Sequence, residues 1–235
     1  MSILECININ KDFGRVIGVK NISFKLSKGK VVGLLGKNNS GKTTIFRLIN
    51  QLIPLDSGEI LLDGKKLDIE AKNRISYLPQ VNFLDDRLTV EDLIELYKYF
   101  FKNFDEEKNK KLLKKFKIDL KTKIYKLDNK TQDRLQLIFI ISRNVDLYIL
   151  DEPVKSENEK ERKEILDIVF SNIDKESTIL ISSNTLDDIY KYLDQIIYLD
   201  KGKIIINKEI KDLNNKDKDE IIKRLGETSC DKETI

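Results

Sequence analysis

The chain of 235 residues contains no histidine. Every role that needs an imidazole, as a metal ligand or as a proton shuttle near neutral pH, is therefore excluded. Its two cysteines, Cys6 and Cys230, lie far apart; that usage fits a reducing cytosol better than a disulfide framework or a metal site. No apolar run is long enough to cross a bilayer and the N-terminus lacks a signal-peptide core, so the expectation is a cytoplasmic protein. Nor is there an excess of one charge, since 43 basic residues face 40 acidic ones. No overall field favours nucleic acid or an anionic membrane, and the lysine-rich runs read as solvated faces. The length suits one large domain or two small subdomains.

What is present is a phosphate-binding pattern. Gly36-Lys37-Asn38-Asn39-Ser40-Gly41-Lys42-Thr43-Thr44 satisfies G-x-x-x-x-G-K-[ST], and its flanks are those the pattern requires. Val31-Val32-Gly33-Leu34-Leu35 reads as a buried strand, and residues 44–50 have the apolar spacing of a helix. In such an arrangement the glycines let backbone N–H groups wrap a phosphate, and the helix N-terminus adds the positive end of its dipole. Lys42 would reach the β- and γ-phosphates, and Thr43 would place its hydroxyl on Mg²⁺. A second element begins with Leu147-Tyr148-Ile149-Leu150 and ends in Asp151-Glu152, with Asp151 lying 108 residues beyond Thr43. At the C-terminal edge of a strand in an open α/β sheet, Asp151 would hold Mg²⁺, directly or through water. Glu152 would polarise a water against the γ-phosphate; its other reading is a cap for the helix after Pro153, where acids are favoured.

Around these motifs the period of the apolar residues changes twice. Residues 3–10 and 20–26 alternate as half-buried strands of an antiparallel flank, with turns at Phe13-Gly14 and Ser27-Lys28-Gly29. Residues 58–64 and 74–80 read as further strands, the second ended by Pro79. From Thr89, where a capping box opens, helical spacing runs through residues 108–116 and again over 131–142. The last third reads strand, helix, strand (178–182), helix, strand (195–199), and a charged tail follows whose last few residues fray. The organisation expected is an α/β nucleotide-binding core with its β flank over 1–84 and 144–210, a helical subdomain over 85–143, and a charged C-terminal tail over 211–235.

From residue 2 to about 205 the chain resembles an ATP-binding-cassette ATPase, the nucleotide-hydrolysing subunit of an ABC transporter. The phosphate loop, the strand ending in Gln80, the helical insert and Asp151-Glu152-Pro153 stand in that family's order and spacing. The resemblance implies a P-loop NTPase fold with a mostly parallel RecA-like core sheet, an antiparallel β flank and a helical subdomain. It implies ATP and Mg²⁺ as cofactors, with Phe13 under the adenine, and Gln80 on Mg²⁺ and sensing the membrane subunit. Phe13 also reads as packing at a turn, and Gln80 as an exposed strand end. The implied partners are a transmembrane permease and a second cassette, homodimeric or heterodimeric, at the cytoplasmic face of the membrane. Residues 100–116 are similar to the ABC-2-type branch, whose members export drugs, peptides or polysaccharides. Soluble ABC ATPases of nucleic-acid repair or translation resemble tandem cassettes or carry long coiled-coil insertions; the chain has neither, and no nucleic acid is expected.

Three departures from the family pattern concern the γ-phosphate and dimer closure. Where the family carries Leu-Ser-Gly-Gly-Gln, this chain reads Leu127-Asp128-Asn129-Lys130-Thr131. Asp128 would present a carboxylate to a phosphate, a like-charge contact unfavourable by several kcal/mol in a partly dry site, with Lys130 as a compensating charge. The loop after Pro153 reads Lys155-Ser156-Glu157-Asn158, with asparagine in place of the final aspartate. The switch histidine is replaced by Asn184, which can donate a hydrogen bond to a phosphate oxygen but carries no charge. The reading that follows is nucleotide binding retained with turnover impaired, against the alternative of relaxed motifs that still work.

Overall fold

The protein is described here by a computed structural model that covers residues 1–14, 17–154 and 158–226. Two sheets organise it. The alternating N-terminal segments form β1 (Ser2–Asp12) and β2 (Ile17–Ser27), which pair antiparallel and continue through β4 (Ser57–Leu62) and the two-residue β5 (Lys65–Lys66) in the order β2-β1-β4-β5. The larger sheet contains β3 (Val31–Leu35), β6 (Ile75–Leu78), β7 (Leu147–Leu150), β8 (Thr178–Ser183), β9 (Gln195–Asp200) and β10 (Lys203–Glu209), in the order β10-β9-β3-β8-β7-β6. Only β10 runs antiparallel to its neighbour. A mostly parallel core sheet with an antiparallel flank is the expected fold class.

The central strands are predominantly apolar because both faces are covered. Val32, Leu34, Leu147, Ile149, Leu180, Ile197 and Leu199 point to the β flank and α1 (Lys42–Ile49). Their neighbours Leu35, Tyr148, Leu150, Ile179, Ile181, Ile196 and Tyr198 point to the opposite layer of helices. That layer comprises α3 (Val90–Phe100), α4 (Glu106–Lys115), α5 (Asn129–Ile141) and α6 (Glu159–Asn172); a short α2 (Ile69–Asn73) precedes β6. Each start is chemically marked. Thr89 and Asp92 exchange both bonds of a capping box at α3, and Asp105, Asp128 and Asn158 cap α4, α5 and α6 through their side chains. The charged segment near the C-terminus forms α7 (Asn215–Gly226), anchored by the fully buried Ile221.

The helix expected between the strands at 178 and 195 is absent. Only a 3₁₀ turn at Tyr190–Tyr192 is formed. The connection has eleven residues, 184–194, to return along a six-residue strand and step past β3. That path is about 20 Å along the sheet before the sideways step, whereas eleven α-helical residues reach about 16 Å. Residues 203–209, not read as a strand, form the sheet edge β10; the exposed Ile205 between Ile204 and Ile206 obscures the apolar alternation.

Arg143 joins the helical layer to the core. It is buried, and its guanidinium donates to Ile75 O (2.9 Å), Asn73 O (3.1 Å) and Asn103 Oδ1 (3.2 Å), lying 3.9 Å from the centre of the Phe101 ring. Burial pushes its pKa down to about 10, the cost of keeping a cation among carbonyl oxygens. Arg143→Met would fill the volume but remove the donor from Ile75 O and Asn103 Oδ1, while Asn73 O keeps Asn103 Nδ2. The expected loss is about 2–4 kcal/mol in urea unfolding.

Candidate active site

Parallel register places three strand ends at one edge. Leu35 pairs with Ser183 and Leu150 with Ile181, so the loop after β3, the acids after β7 and the end of β8 converge there, where open α/β sheets bind ligands. The loop 36–41 is held in shape by its own backbone and by its surroundings. Ser40 N donates to Lys37 O, and Ser40 O accepts from Gly202 N in the β9–β10 turn. Gly41 has φ +110°, and a Cβ there would sit 2.7 Å from Gly18 O. Asn39 also takes a left-handed φ of +63°. Gly36 approaches Leu199 O so closely that a Cβ would stand 2.5 Å away. Substituting either glycine would force the loop apart.

Lys42 opens α1, buried, with its Nζ donating to Gly36 O (2.6 Å) and Lys37 O (3.1 Å) and standing 3.5 Å from Glu152 Oε1. Burial lowers its pKa, a tendency opposed by the charges of Glu152 and Asp151. Asp151 is also buried; its Oδ1 accepts from Ser182 Oγ at 2.7 Å. Burial raises its pKa, while the hydroxyls of Ser182 and Thr43 and the charge of Lys42 pull it down. Glu152 adopts a left-handed φ of +48°, its N–H donates to Ser182 Oγ (2.9 Å) and its Oε2 accepts from Gln80 Nε2 (2.8 Å). One serine thus orients both acids. Ser182 was not anticipated, because its role arises from the register of β8 against β7 and from no local motif.

Phe13, 52% exposed, stands at the edge of the same site: a methyl on Gly18 would meet Phe13 Cε2 at 2.6 Å and Thr44 Cγ2 at 3.1 Å. The ring therefore lies within one residue's width of the loop. Asn184 is exposed and lines a cleft of 390 Å³ with Glu152, Pro153, Arg162 and Asp188. The structure thus brings Lys42, Thr43, Asp151, Glu152 and Gln80 together, with Phe13 near Thr44 and Asn184 in the cleft beside Glu152.

The residues fit a nucleotide with Mg²⁺. Asp151 Oδ2 and Ser40 Oγ are buried without a hydrogen-bond partner, and the Thr43 hydroxyl lies by Asp151. Among the described residues no group of three or more acids or cysteines could hold a metal.

The stretch 127–131 does different work. Asp128 Oδ1 accepts from Thr131 N at 2.7 Å as the cap of α5, and that backbone N–H, with the Thr131 hydroxyl, holds its pKa below the usual carboxylate value. Lys130 is ion-paired with Glu161 of α6. Neither side chain is the free group that the sequence reading assigned to a facing phosphate. Residues Lys155, Ser156 and Glu157 lie outside the described residues; Asn158 caps α6 by accepting from Lys160 N and Glu161 N.

Comparison with known proteins identifies the family. Residues 19–155, more than half of the chain, match the family described as ABC transporter. The ABC transporter ATP-binding protein YtrB of Bacillus subtilis is 31% identical over 189 residues, covering 79% of this chain; the chain spans 65% of that relative's length. The phosphonates import ATP-binding protein PhnC of Fusobacterium nucleatum is 28% identical, covering 97% of this chain and 99% of its own. A solved ATP-binding subunit of an ABC transporter superposes with a TM-score of 0.84 at 21% identity, over 95% of this chain and 99% of that one. The chain belongs to the ABC transporter family, as one of its ATP-binding cassettes. No helix among the described residues is long and apolar enough to cross a membrane.

The raised pKa of Asp151 fixes a sign. A carboxyl favoured in its neutral form adds stability at low pH that is lost as the pH rises through the raised value. At pH 7 its charge is therefore a cost. Asp151→Asn should raise Tm by about 2–4 °C at neutral pH, with the gain vanishing below about pH 4; calorimetry at several pH values checks this.

Proposed function

We propose that this chain binds MgATP and hydrolyses it to drive a membrane permease, dimerising around the nucleotide, at the cytoplasmic face of the membrane. The observation that carries this is the convergence of Lys42, Asp151, Glu152 and Gln80 at one strand edge. The 36–44 backbone and Lys42 hold the phosphates, Phe13 stacks the base, and Thr43, Gln80 and Asp151 hold Mg²⁺. When bound, the cation neutralises charge that develops on the β- and γ-oxygens. Glu152, fixed by Gln80 and by Ser182, accepts the proton of the attacking water. Asn184 donates to a γ-phosphate oxygen from the far side of Glu152.

Next to Gln80 an apolar groove of 540 Å³ is lined by Pro79, Val81, Phe83, Tyr97 and Phe101, and Val81 and Phe83 are exposed. An apolar surface of this kind beside the site supports docking of the permease. Export of a drug, peptide or similar cargo is the direction supported by the likeness of residues 100–116 to the ABC-2 branch; the importers among its relatives support the reverse.

A second reading, the catalytically impaired half of an asymmetric heterodimer, is favoured by Asp128 and Lys130. With one spent on a helix cap and the other on Glu161, the segment 127–131 has little to offer a facing phosphate.

ATP binding and steady-state hydrolysis of the purified chain test these readings, with Lys42→Ala and Glu152→Gln in parallel. Under the first, Lys42→Ala abolishes turnover, and Glu152→Gln lowers kcat by about 10²–10⁴-fold with ATP still bound. Tight, Lys42-dependent binding without turnover would instead favour the impaired partner. Turnover unchanged in Glu152→Gln would remove that residue from the chemistry.

A further inference from the structure

Residues 98–126 contain eleven lysines, no arginine and four acids, a net of +7; in a chain totalling +3 the remainder sums to −4. The near-neutral total hides a strongly uneven distribution. α4 buries Asn109, Leu112 and Leu113, which turns Lys110, Lys111, Lys114 and Lys115 to solvent, with Lys117 just beyond. Glu106 links this face to the end of α3, accepting ion pairs from Lys110 (2.7 Å) and Lys98 (3.0 Å). Beside Lys98 stand Tyr99 and Phe100, 82% and 62% exposed, edge to face with centroids 5.1 Å apart. α3 buries Leu93, Ile94 and Tyr97 instead, so these two rings contribute nothing to the core.

We propose that the lysine face of α4 and the Tyr99–Phe100 pair form a surface for anionic lipid headgroups, holding the chain against a membrane without help from a permease. The residue types favour this occupant. Ammonium groups are point charges that respond to the summed field of a headgroup layer, whereas bidentate recognition of a particular carboxylate or phosphate calls for arginine, and residues 98–126 have none. Exposed aromatic rings next to lysines suit the boundary between headgroups and acyl chains. The inference goes beyond ATP-driven transport and does not depend on it, since Lys42, Asp151 and Glu152 take no part.

Co-sedimentation of the full chain with vesicles, in the absence of permease, tests it. Vesicles of phosphatidylcholine mixed with phosphatidylglycerol should bind about tenfold more protein than phosphatidylcholine alone at low salt, and high salt should remove most of the difference by screening. The triple variant Lys111→Glu, Lys114→Glu, Lys115→Glu should lose the preference while binding ATP as the wild type does. Tyr99→Ser with Phe100→Ser should weaken the binding that survives intermediate salt. Equal association with both vesicles, none with either, or an unchanged preference in the triple variant would overturn the proposal. So would lysine-dependent binding to soluble heparin with no vesicle preference, which would assign the face to an acidic macromolecule.

Discussion

The hydrogen-bonded register of β3, β8 and β7 determines where the phosphate-loop residues and the two acids stand. These strands are short, four to six residues, and pair in parallel. A slip of one residue would reverse which side chains meet the flank and which meet the helices, so the two apolar layers fix the register. The same register sets the loop after Leu35 opposite the acids after Leu150, with Ser182 between the acids and the rest of the sheet. Packing that is blind to function thus positions the polar edge.

That edge carries a cost the rest of the fold must cover. A buried ammonium and a buried carboxylate are both pushed toward their neutral forms by loss of water. Their mutual attraction, the Glu152 carboxylate beside Lys42 and the hydroxyls of Ser182 and Thr43 beside Asp151 oppose this without reversing it. Groups held in that condition interact strongly with a charged ligand, since little solvent remains to screen them. Asp151 Oδ2 and Ser40 Oγ, buried and unpaired, are further polar atoms that a purely structural edge would have satisfied.

The sequence was most readable where a feature is local. The loop 36–44 announces itself by spacing, and Leu147–Leu150 by its unbroken apolar run before two acids. Asp128 was readable too: an acid three residues before Thr131, at the start of an apolar helix, is a cap by local rules, but alignment to the family's motif led to a reading as a phosphate-facing group. Features that depend on distant segments were not readable. Ser182 acquires its role from β7, Lys130 from Glu161 thirty-one residues on, and Arg143 from carbonyls at 73 and 75. The segment 184–194 misled in the opposite way, because its apolar spacing suits a helix while the distance it must cover does not.

Gly18 lies in β2, far in sequence from the phosphate loop, yet it separates the Phe13 ring from Thr44 by less than the width of a methyl group. Its carbonyl also faces Gly41 at a distance that admits no Cβ between them. Positions 13, 18, 41 and 44 therefore share a single small volume. In the history of such a chain they are not four independent sites of drift: a larger residue at one is tolerated only when another shrinks or turns away, so changes at Phe13 would leave a mark in the loop 36–44.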